Sequence, residues 1–274
     1  MPCEITHFLQ SKDRVVVLTG AGLSLNSGIP TYRNGAGQWL RNNPIQHNDF
    51  LNKESARRRY WARSYAGWPI VNKAIPNKGH ESLVQLEAQG KILLLVTQNV
   101  DRLHQRAGHR RVIDLHGRLD QVICLSCGQK SLRSKIQQRI QELNSGLPHS
   151  DAFAPDGDAD VAEEIVESFH VPDCESCGGI LKPNVVFFGD SVGREIVTEI
   201  YESIDESDAL LVVGSSLMVF SGFRFCRYAA EKNIPVACIN PGKTRADELF
   251  FLKIEDKKII STPCFSLIFI SLLL

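Results

Sequence analysis

Val15-Val16-Val17-Leu18-Thr19-Gly20-Ala21-Gly22-Leu23-Ser24, followed by Ser27-Gly28-Ile29-Pro30, decides the fold. A run of β-branched residues without polar alternation reads as a strand buried on both faces, the habit of a parallel sheet. The run then breaks into small residues that lead toward a helix. Such a break can bring backbone N–H groups against a diphosphate. Similar apolar runs recur at Ile92–Thr97 and at residues 185–188, 209–214 and 235–240, separated by helix-like segments at 79–89 and 222–232. Strands alternating with helices predict an α/β fold, a Rossmann-like doubly wound parallel sheet.

In open α/β sheets, ligands bind outside the carboxyl ends of the strands. Four such ends carry polar groups here. Gly20-Ala21-Gly22 lacks the third glycine of the dehydrogenase fingerprint, so alone it is a tight turn. Ser24 and Ser27 can donate to phosphate oxygens, and Arg33 can pair with a diphosphate or a carboxylate. The second end is Thr97-Gln98-Asn99-Val100-Asp101, with Leu115-His116-Gly117 close behind. Its amides and carboxylate favour His116 as a general base over a structural histidine. Asp114 is a distraction, since on a strand it shares the face of His116. Gly214-Ser215-Ser216 offers hydroxyls and N–H groups to phosphate or ribose, and Asn240-Pro241-Gly242 offers an amide to ribose hydroxyls. Together these ends describe a dinucleotide consumed in the chemistry.

The 274 residues carry 31 basic and 31 acidic side chains, which favours neither nucleic acid nor an anionic membrane. Four of the eight cysteines form two CxxC pairs, Cys124/Cys127 and Cys174/Cys177. Four thiolates close a tetrahedral Zn²⁺ shell and leave no open position, so one structural zinc is expected. A redox CxxC is the competing reading. A zinc ribbon that binds nucleic acid lacks the aromatic-basic stripe it needs. The apolar run 264–274 is shorter than the roughly 20 residues of a bilayer span, so no stable membrane insertion is expected. The alternatives for it are a buried last element or an aberrant transcript end. Nothing in the first fourteen residues reads as a presequence, since they hold Glu4 and Asp13 without an Arg-rich stripe.

These motifs resemble the sirtuins, NAD-dependent protein-lysine deacylases. The resemblance is carried by Gly20-Ala21-Gly22-x-Ser24-x-x-Ser27-Gly28-Ile29-Pro30, Thr97-Gln98-Asn99-x-Asp101-x-Leu103-His104, Leu115-His116-Gly117 and the paired CxxC motifs. Val185-Val186-Phe187-Phe188-Gly189-Asp190, Gly214-Ser215-Ser216 and Asn240 continue it, and the whole covers about residues 14–250. Pro44-Ile45-Gln46-His47, Arg59-Tyr60-Trp61-Ala62-Arg63, Ala154-Pro155-Asp156-Gly157-Asp158 and Gly242-x-Thr244-Arg245-x-Asp247 look like the class II, sirtuin 4 type.

The resemblance implies one catalytic domain over 1–274. It consists of a Rossmann-like part (about 11–35, 79–119 and 183–260), a helical insertion (about 36–78) and a zinc-binding part (about 120–182). It implies an NAD site built from Gly20, Ala21, Gly22, Ser24, Thr31, Tyr32, Arg33, Gln98, Asn99, Asp101, Gly214, Ser215, Ser216, Asn240, Pro241 and Gly242. His116, Asn99 and Asp101 would be catalytic, with Asn99 and Asp101 at the nicotinamide end and Gln98 on its ribose. The acyl oxygen of a substrate lysine would expel nicotinamide from that ribose. His116 would then deprotonate a ribose hydroxyl, and the products would be free lysine and O-acyl-ADP-ribose. Val185, Phe187, Phe188 and Gly189 would take the substrate backbone as an added strand. Tyr60 and Arg63 have the spacing with which a related class II sirtuin reads acidic acyl groups, against a packed tyrosine and a helix-face arginine. The partners implied are acylated protein lysines, and the compartment is the mitochondrial matrix. Alternatives are mono-ADP-ribosyl transfer and a weakly active NAD sensor or scaffold. The last is motivated by Thr31-Tyr32-Arg33, where the family usually has Asp first, and by a chain that departs from the family after Leu252.

Overall fold

A computed structural model describes residues 4–38, 40, 44–144 and 161–255. The Ala154–Asp158 stretch and the apolar run 264–274 lie outside the described residues. The chain runs α1 (Glu4–Gln10), β1 (Val15–Thr19), a 3-10 helix (Ala21–Ser27), α2 (His47–Asn52), α3 (Glu54–Lys73), α4 (Lys78–Ala88) and β2 (Ile92–Thr97). It continues through α5 (Leu103–Ala107), β3 (Val112–Asp114), β4 (Gly117–Cys124), β5 (Lys130–Leu132), α6 (Arg133–Leu143), α7 (Glu163–Ser168) and β6 (Leu181–Val185). It closes with α8 (Arg194–Asp205), β7 (Ala209–Val213), α9 (Phe220–Glu231), β8 (Val236–Ile239) and β9 (Leu252–Ile254).

Six parallel strands form the main sheet in the order β3-β2-β1-β7-β8-β9. The alternation of side chains across a strand divides its apolar residues between two cores. Val15, Val17, Leu95, Leu211 and Val213 pack with Phe8, Leu83 and Leu86 of α1 and α4. Val16, Leu18, Val96, Leu210 and Val212 pack with Ile200, Ile204, Phe225 and Ala229 of α8 and α9. Both faces are covered, which is why β1 and β7 carry no polar alternation. The strand order reverses at β1/β7, so the loops after those two strands flank the crevice where such sheets bind ligands.

A second sheet, β5-β4-β6, is antiparallel and carries the cysteines. Its core is continuous with that of α2 and α3, through Phe50, Trp61, Tyr65, Val122, Ile136 and Leu181. The basic run of α3 serves packing and capping. Arg57 Nη1 donates to the last carbonyls of α2, Phe50 O and Leu51 O, each at 3.0 Å. Trp61 is fully buried and its indole donates to Leu181 O.

Two expectations are corrected here. The run 185–188 is not a strand of the doubly wound sheet. Only Val185 is in a strand, the last residue of β6, which pairs antiparallel with β4. An apolar run beside a binding crevice satisfies the same pattern as a core strand. The small sheet also begins at Gly117 and ends at Val185, so it includes 117–119 and 183–185, which the motif boundaries assign to the large part.

Candidate active site

The ends of β1 and β7 interlock through glycine. A Cβ on Gly20 would lie 2.7 Å from Ser215 Cβ, and one on Gly22 would lie 2.8 Å from Gly214 O. Gly214 itself has φ +64, and a Cβ there would lie 2.4 Å from Leu23 N. The N–H of Gly20 donates to Val213 O, and that of Gly22 to Gly214 O at 2.8 Å. The N–H groups of Gly20 and Gly22 are thus spent on joining the two loops, where glycine is needed because the backbones touch, and Gly20, Ala21 and Gly22 all line the cleft.

Of the two serines only Ser24 lines the cleft. Ser24 is fully buried and donates to Asp101 Oδ2 at 2.7 Å. Ser27 accepts from Asn77 Nδ2 at 3.0 Å and does not line the cleft. Asn99 Nδ2 donates to Gly20 O and to Ser24 Oγ, both at 3.1 Å. Asp101 Oδ1 accepts from Leu103 N at 2.9 Å. Asn99, Ser24 and Asp101 thus form one bonded set under the floor of the crevice. Burial pushes the Asp101 carboxyl above its usual range, opposed by the Leu103 N–H and the Ser24 hydroxyl.

Gln98 spans the two loops. Its Nε2 donates to Thr19 O at 3.1 Å and to Ser215 Oγ at 2.8 Å. Its carbonyl accepts from His116 Nδ1 at 3.0 Å. A carbonyl only accepts, so Nδ1 carries the proton and Nε2 presents a lone pair. Ser221 Oγ lies 2.7 Å from Nε2 and donates to it. Burial lowers the His116 pKa from its usual range, against the Gln98 hydrogen bond. A neutral imidazole with a fixed tautomer, whose lone pair is held by a hydroxyl on the cleft lining, can serve as a general base once a reacting hydroxyl replaces that donor. Nothing in the sequence pointed to Ser221, because a hydroxyl in the first turn of a helix carries no motif. Asp114 is not beside the base: it is bound by Arg102 Nη1 and Gln105 Nε2 outside the cleft. β3 ends at Asp114, and the turn that follows cancels the strand alternation.

These groups open into a cleft of about 1230 Å³, more than a drug-sized ligand needs. Thr31, Tyr32, Arg33, Ser216, Asn240, Pro241 and Gly242 line it with the groups above. Thr31 Oγ1 donates to Arg33 O at 2.8 Å, and Arg33 Nη1 donates to Gly37 O at 2.7 Å, so both shape their own loop. Asn240 Nδ2 donates to Gly242 O at 3.0 Å. A Cβ on Gly242 would lie 2.6 Å from Gly35 O, a second glycine-dependent contact at the cleft edge. The crevice's place at the switch point and its volume fit a dinucleotide.

Val185, Phe187, Phe188 and Gly189 line the far wall. Three main-chain groups there are already bonded: Val186 N to His116 O at 2.8 Å, His47 N to Phe188 O at 2.8 Å, and Asp190 N to Phe187 O at 3.0 Å. Leu217, Met218 and Val219 also line the cleft, which the motif reading did not single out. Tyr60 is buried and reaches the cleft, stacked edge-on against Phe187 at 5.1 Å. Arg63, one helical turn away, does not line it.

The four cysteine sulfurs lie within 4.8 Å of one another. Cys124 and Cys177 Sγ are 3.5 Å apart, and Cys127 and Cys174 Sγ 3.8 Å. The edge of a tetrahedron with Zn–S of about 2.3 Å is about 3.8 Å, so the cluster fits zinc. Each CxxC closes as a tight turn, Gly128 N to Cys124 O and Gly178 N to Cys174 O. The Cys127 backbone N–H, aimed at its sulfur, brings the Cys124 thiol down to about 6, while hydrogen bonds among the crowded sulfurs push Cys177 up to about 12.

Comparison with known proteins agrees with this geometry. The family model described as "Sir2 family" matches residues 20–221. "NAD-dependent protein deacetylase 2" of Bradyrhizobium diazoefficiens is 53% identical over 254 residues, covering 92% of this chain and 93% of that one. The human "NAD-dependent protein lipoamidase sirtuin-4, mitochondrial" is 47% identical over 258 residues, covering 93% and 82%. Among solved structures, a Sir2 complex with p53 peptide and NAD⁺ superposes with TM-score 0.75 at 27% identity, covering 98% and 95% of the two chains. A mutant Sir2 homologue bound to ADP-ribose does so with TM-score 0.77 at 26% identity, covering 100% and 99%. Family model, relatives and superposed folds each span most of the molecule, and the chain belongs to the Sir2 family of NAD-dependent enzymes.

Proposed function

We propose that this chain is an NAD-dependent protein-lysine deacylase of the sirtuin 4 type, acting on large neutral acyl groups such as lipoyl. The observation that carries the reaction class is the His116 ring: neutral, proton on Nδ1, and Nε2 turned into the cleft between the cofactor loops and the 185–189 wall. Bound NAD supplies a ribose whose nicotinamide bond breaks. The chain's own groups do the rest. Asn99, Ser24 and Asp101 hold a preorganised polar floor, so little reorganisation is needed as charge develops. His116 accepts the proton of the reacting hydroxyl. The 185–189 segment aligns the substrate backbone. The four-cysteine cluster stays outside the cleft and serves the small sheet alone.

Acyl preference is read from the inner end of the cleft. Ile29, Ile45, Tyr60, Val100 and Phe187 line it, and Arg63 does not. An end this apolar suits an aliphatic acyl chain, and among these five side chains the Tyr60 hydroxyl is the one donor to a terminal carboxylate. The likeness to human sirtuin-4, a lipoamidase by name, supports this reading. The bacterial relatives are named deacetylases, so acetyl-lysine is the natural comparison substrate. A mitochondrial location belongs to the same proposal and rests on the human relative.

The test is nicotinamide release from NAD by purified protein with acetyl-, lipoyl- and glutaryl-lysine peptides. Lipoyl above acetyl, glutaryl last, and O-acyl-ADP-ribose as product support the proposal. Glutaryl preference would return Arg63 to the acyl pocket. Transfer of labelled ADP-ribose to protein, without acyl product, would make the chain a mono-ADP-ribosyltransferase. NAD binding without turnover would leave a sensor.

A further inference from the structure

His116 is held from both sides, and one of the two holds has no place yet in the chemistry. Nδ1 is fixed by a main-chain carbonyl, Gln98 O, at 3.0 Å. Nε2, the atom that must accept a proton, faces Ser221 Oγ at 2.7 Å. Ser221 lies in the first turn of α9, so the helix backbone sets its position. The next residue shows how closely that turn is seated. Gly222 approaches Gln98 so tightly that a Cβ there would lie 2.6 Å from Gln98 Oε1. The turn therefore braces the Gln98 side chain at one residue and the base at its neighbour. Ser221 and His116 both line the cleft, so an entering hydroxyl can reach the same lone pair.

We infer that Ser221 is a positioning residue for His116. Its hydroxyl occupies the Nε2 lone pair of a ring whose Nδ1–H the Gln98 carbonyl holds, until the reacting ribose hydroxyl takes over as donor. This rests on the deacylase reading for its kinetic consequence but not for its structural one. A donor to the neutral ring stabilises the neutral form, so it keeps the base ready at a lower pH. The charged groups that share the cleft are Arg33, Asp101, Asp190, Arg194, Arg224 and Lys243. Among the described residues none forms an ion pair with the His116 ring, so the two hydrogen bonds are its direct partners.

The experiment compares the parent with Ser221→Ala and Ser221→Thr. Nitrogen-15 NMR of histidine-labelled free protein reads ring tautomer and titration without any turnover. Ser221→Ala is expected to raise the His116 pKa by about half to one unit, the size of one lost hydrogen bond, with the Nδ1–H tautomer kept by the Gln98 carbonyl. Ser221→Thr keeps the hydroxyl and should titrate like the parent. In the deacylation assay the acid limb of kcat should move up by the same interval in Ser221→Ala, with KM for peptide unchanged. Circular dichroism confirms that each variant folds. A parental ring titration and acid limb in Ser221→Ala overturn the inference. Absence of turnover in the parent counts against the deacylase reading, while the ring titration still decides the role of Ser221.

Discussion

Ser24 and Asp101, on different loops and 77 residues apart, share a 2.7 Å hydrogen bond that also ties in Asn99. None of the three side chains can be truncated without leaving a buried polar group short of a partner. Replacing Ser24 with Ala should cost about 1–3 kcal/mol of stability. It should also lower turnover, because the floor of the crevice loses its common link. Thermal unfolding and NAD-dependent deacylation measured on the same sample check both effects.

Asp101 should show a conflict between stability and activity. Burial raises its folded pKa above the unfolded value, so its contribution favours the fold at low pH and is lost as pH rises through the folded pKa. At neutral pH the ionised group is a cost. Asp101→Asn should therefore raise the melting temperature by a few degrees at pH 8, with the gain disappearing in acid. Activity should drop ~10²–10³-fold. A variant that is less stable than the parent at pH 8 would contradict the assignment.

The base should work below the usual histidine range. The His116 pKa is lowered, and the neutral ring is the active form, so kcat rises with pH through an acid limb that lies below the usual histidine range. His116→Ala should lose ~10²–10⁴-fold in kcat at every pH and should also lose that limb. The pH profile of both proteins with an acyl-lysine peptide decides it.

Gly22 should not tolerate even a methyl group. A Cβ there meets Gly214 O at 2.8 Å and Gly214 Cα at 2.9 Å, both backbone atoms that cannot swing aside. Gly22→Ala should push the two loops apart and weaken NAD binding at least about tenfold, with overpacking of about 1–3 kcal/mol. Calorimetric titration with NAD reads the first and chemical denaturation the second.

Chelation should separate the two lobes. A closed thiolate shell supplies folding energy and no reactive position. Metal analysis should find a single zinc. Cys127→Ser or prolonged chelation should melt the small sheet and strip activity, while zinc restored before aggregation returns it. Activity that survives full zinc removal would show that the small sheet folds without the ion.

The strands that were legible in sequence are those whose surroundings are uniform. β1, β2, β7 and β8 lie inside a sheet covered on both faces, so each reads as an unbroken apolar run. α8 carries a helical apolar stripe, Ile196, Val197, Ile200, Tyr201 and Ile204, which a search for unbroken apolar runs does not register. The three-residue strands β3, β5 and β9 are too short to carry a pattern. Site residues were legible as identities but not as partners. Gly20, Ser24 and Gln98 all border the crevice, yet their hydrogen bonds go to the protein, which no spacing rule states.

His116 takes part in the site twice. Its ring faces the reacting end, and its main-chain oxygen holds Val186 N at 2.8 Å in the wall along which the substrate must lie. Seating the peptide and aiming the base are thus one mechanical event. A lysine one register out of line would still bind, but it would displace the acceptor it needs. Discrimination between target lysines should then surface as slow turnover of wrong sites more than as weak capture of them.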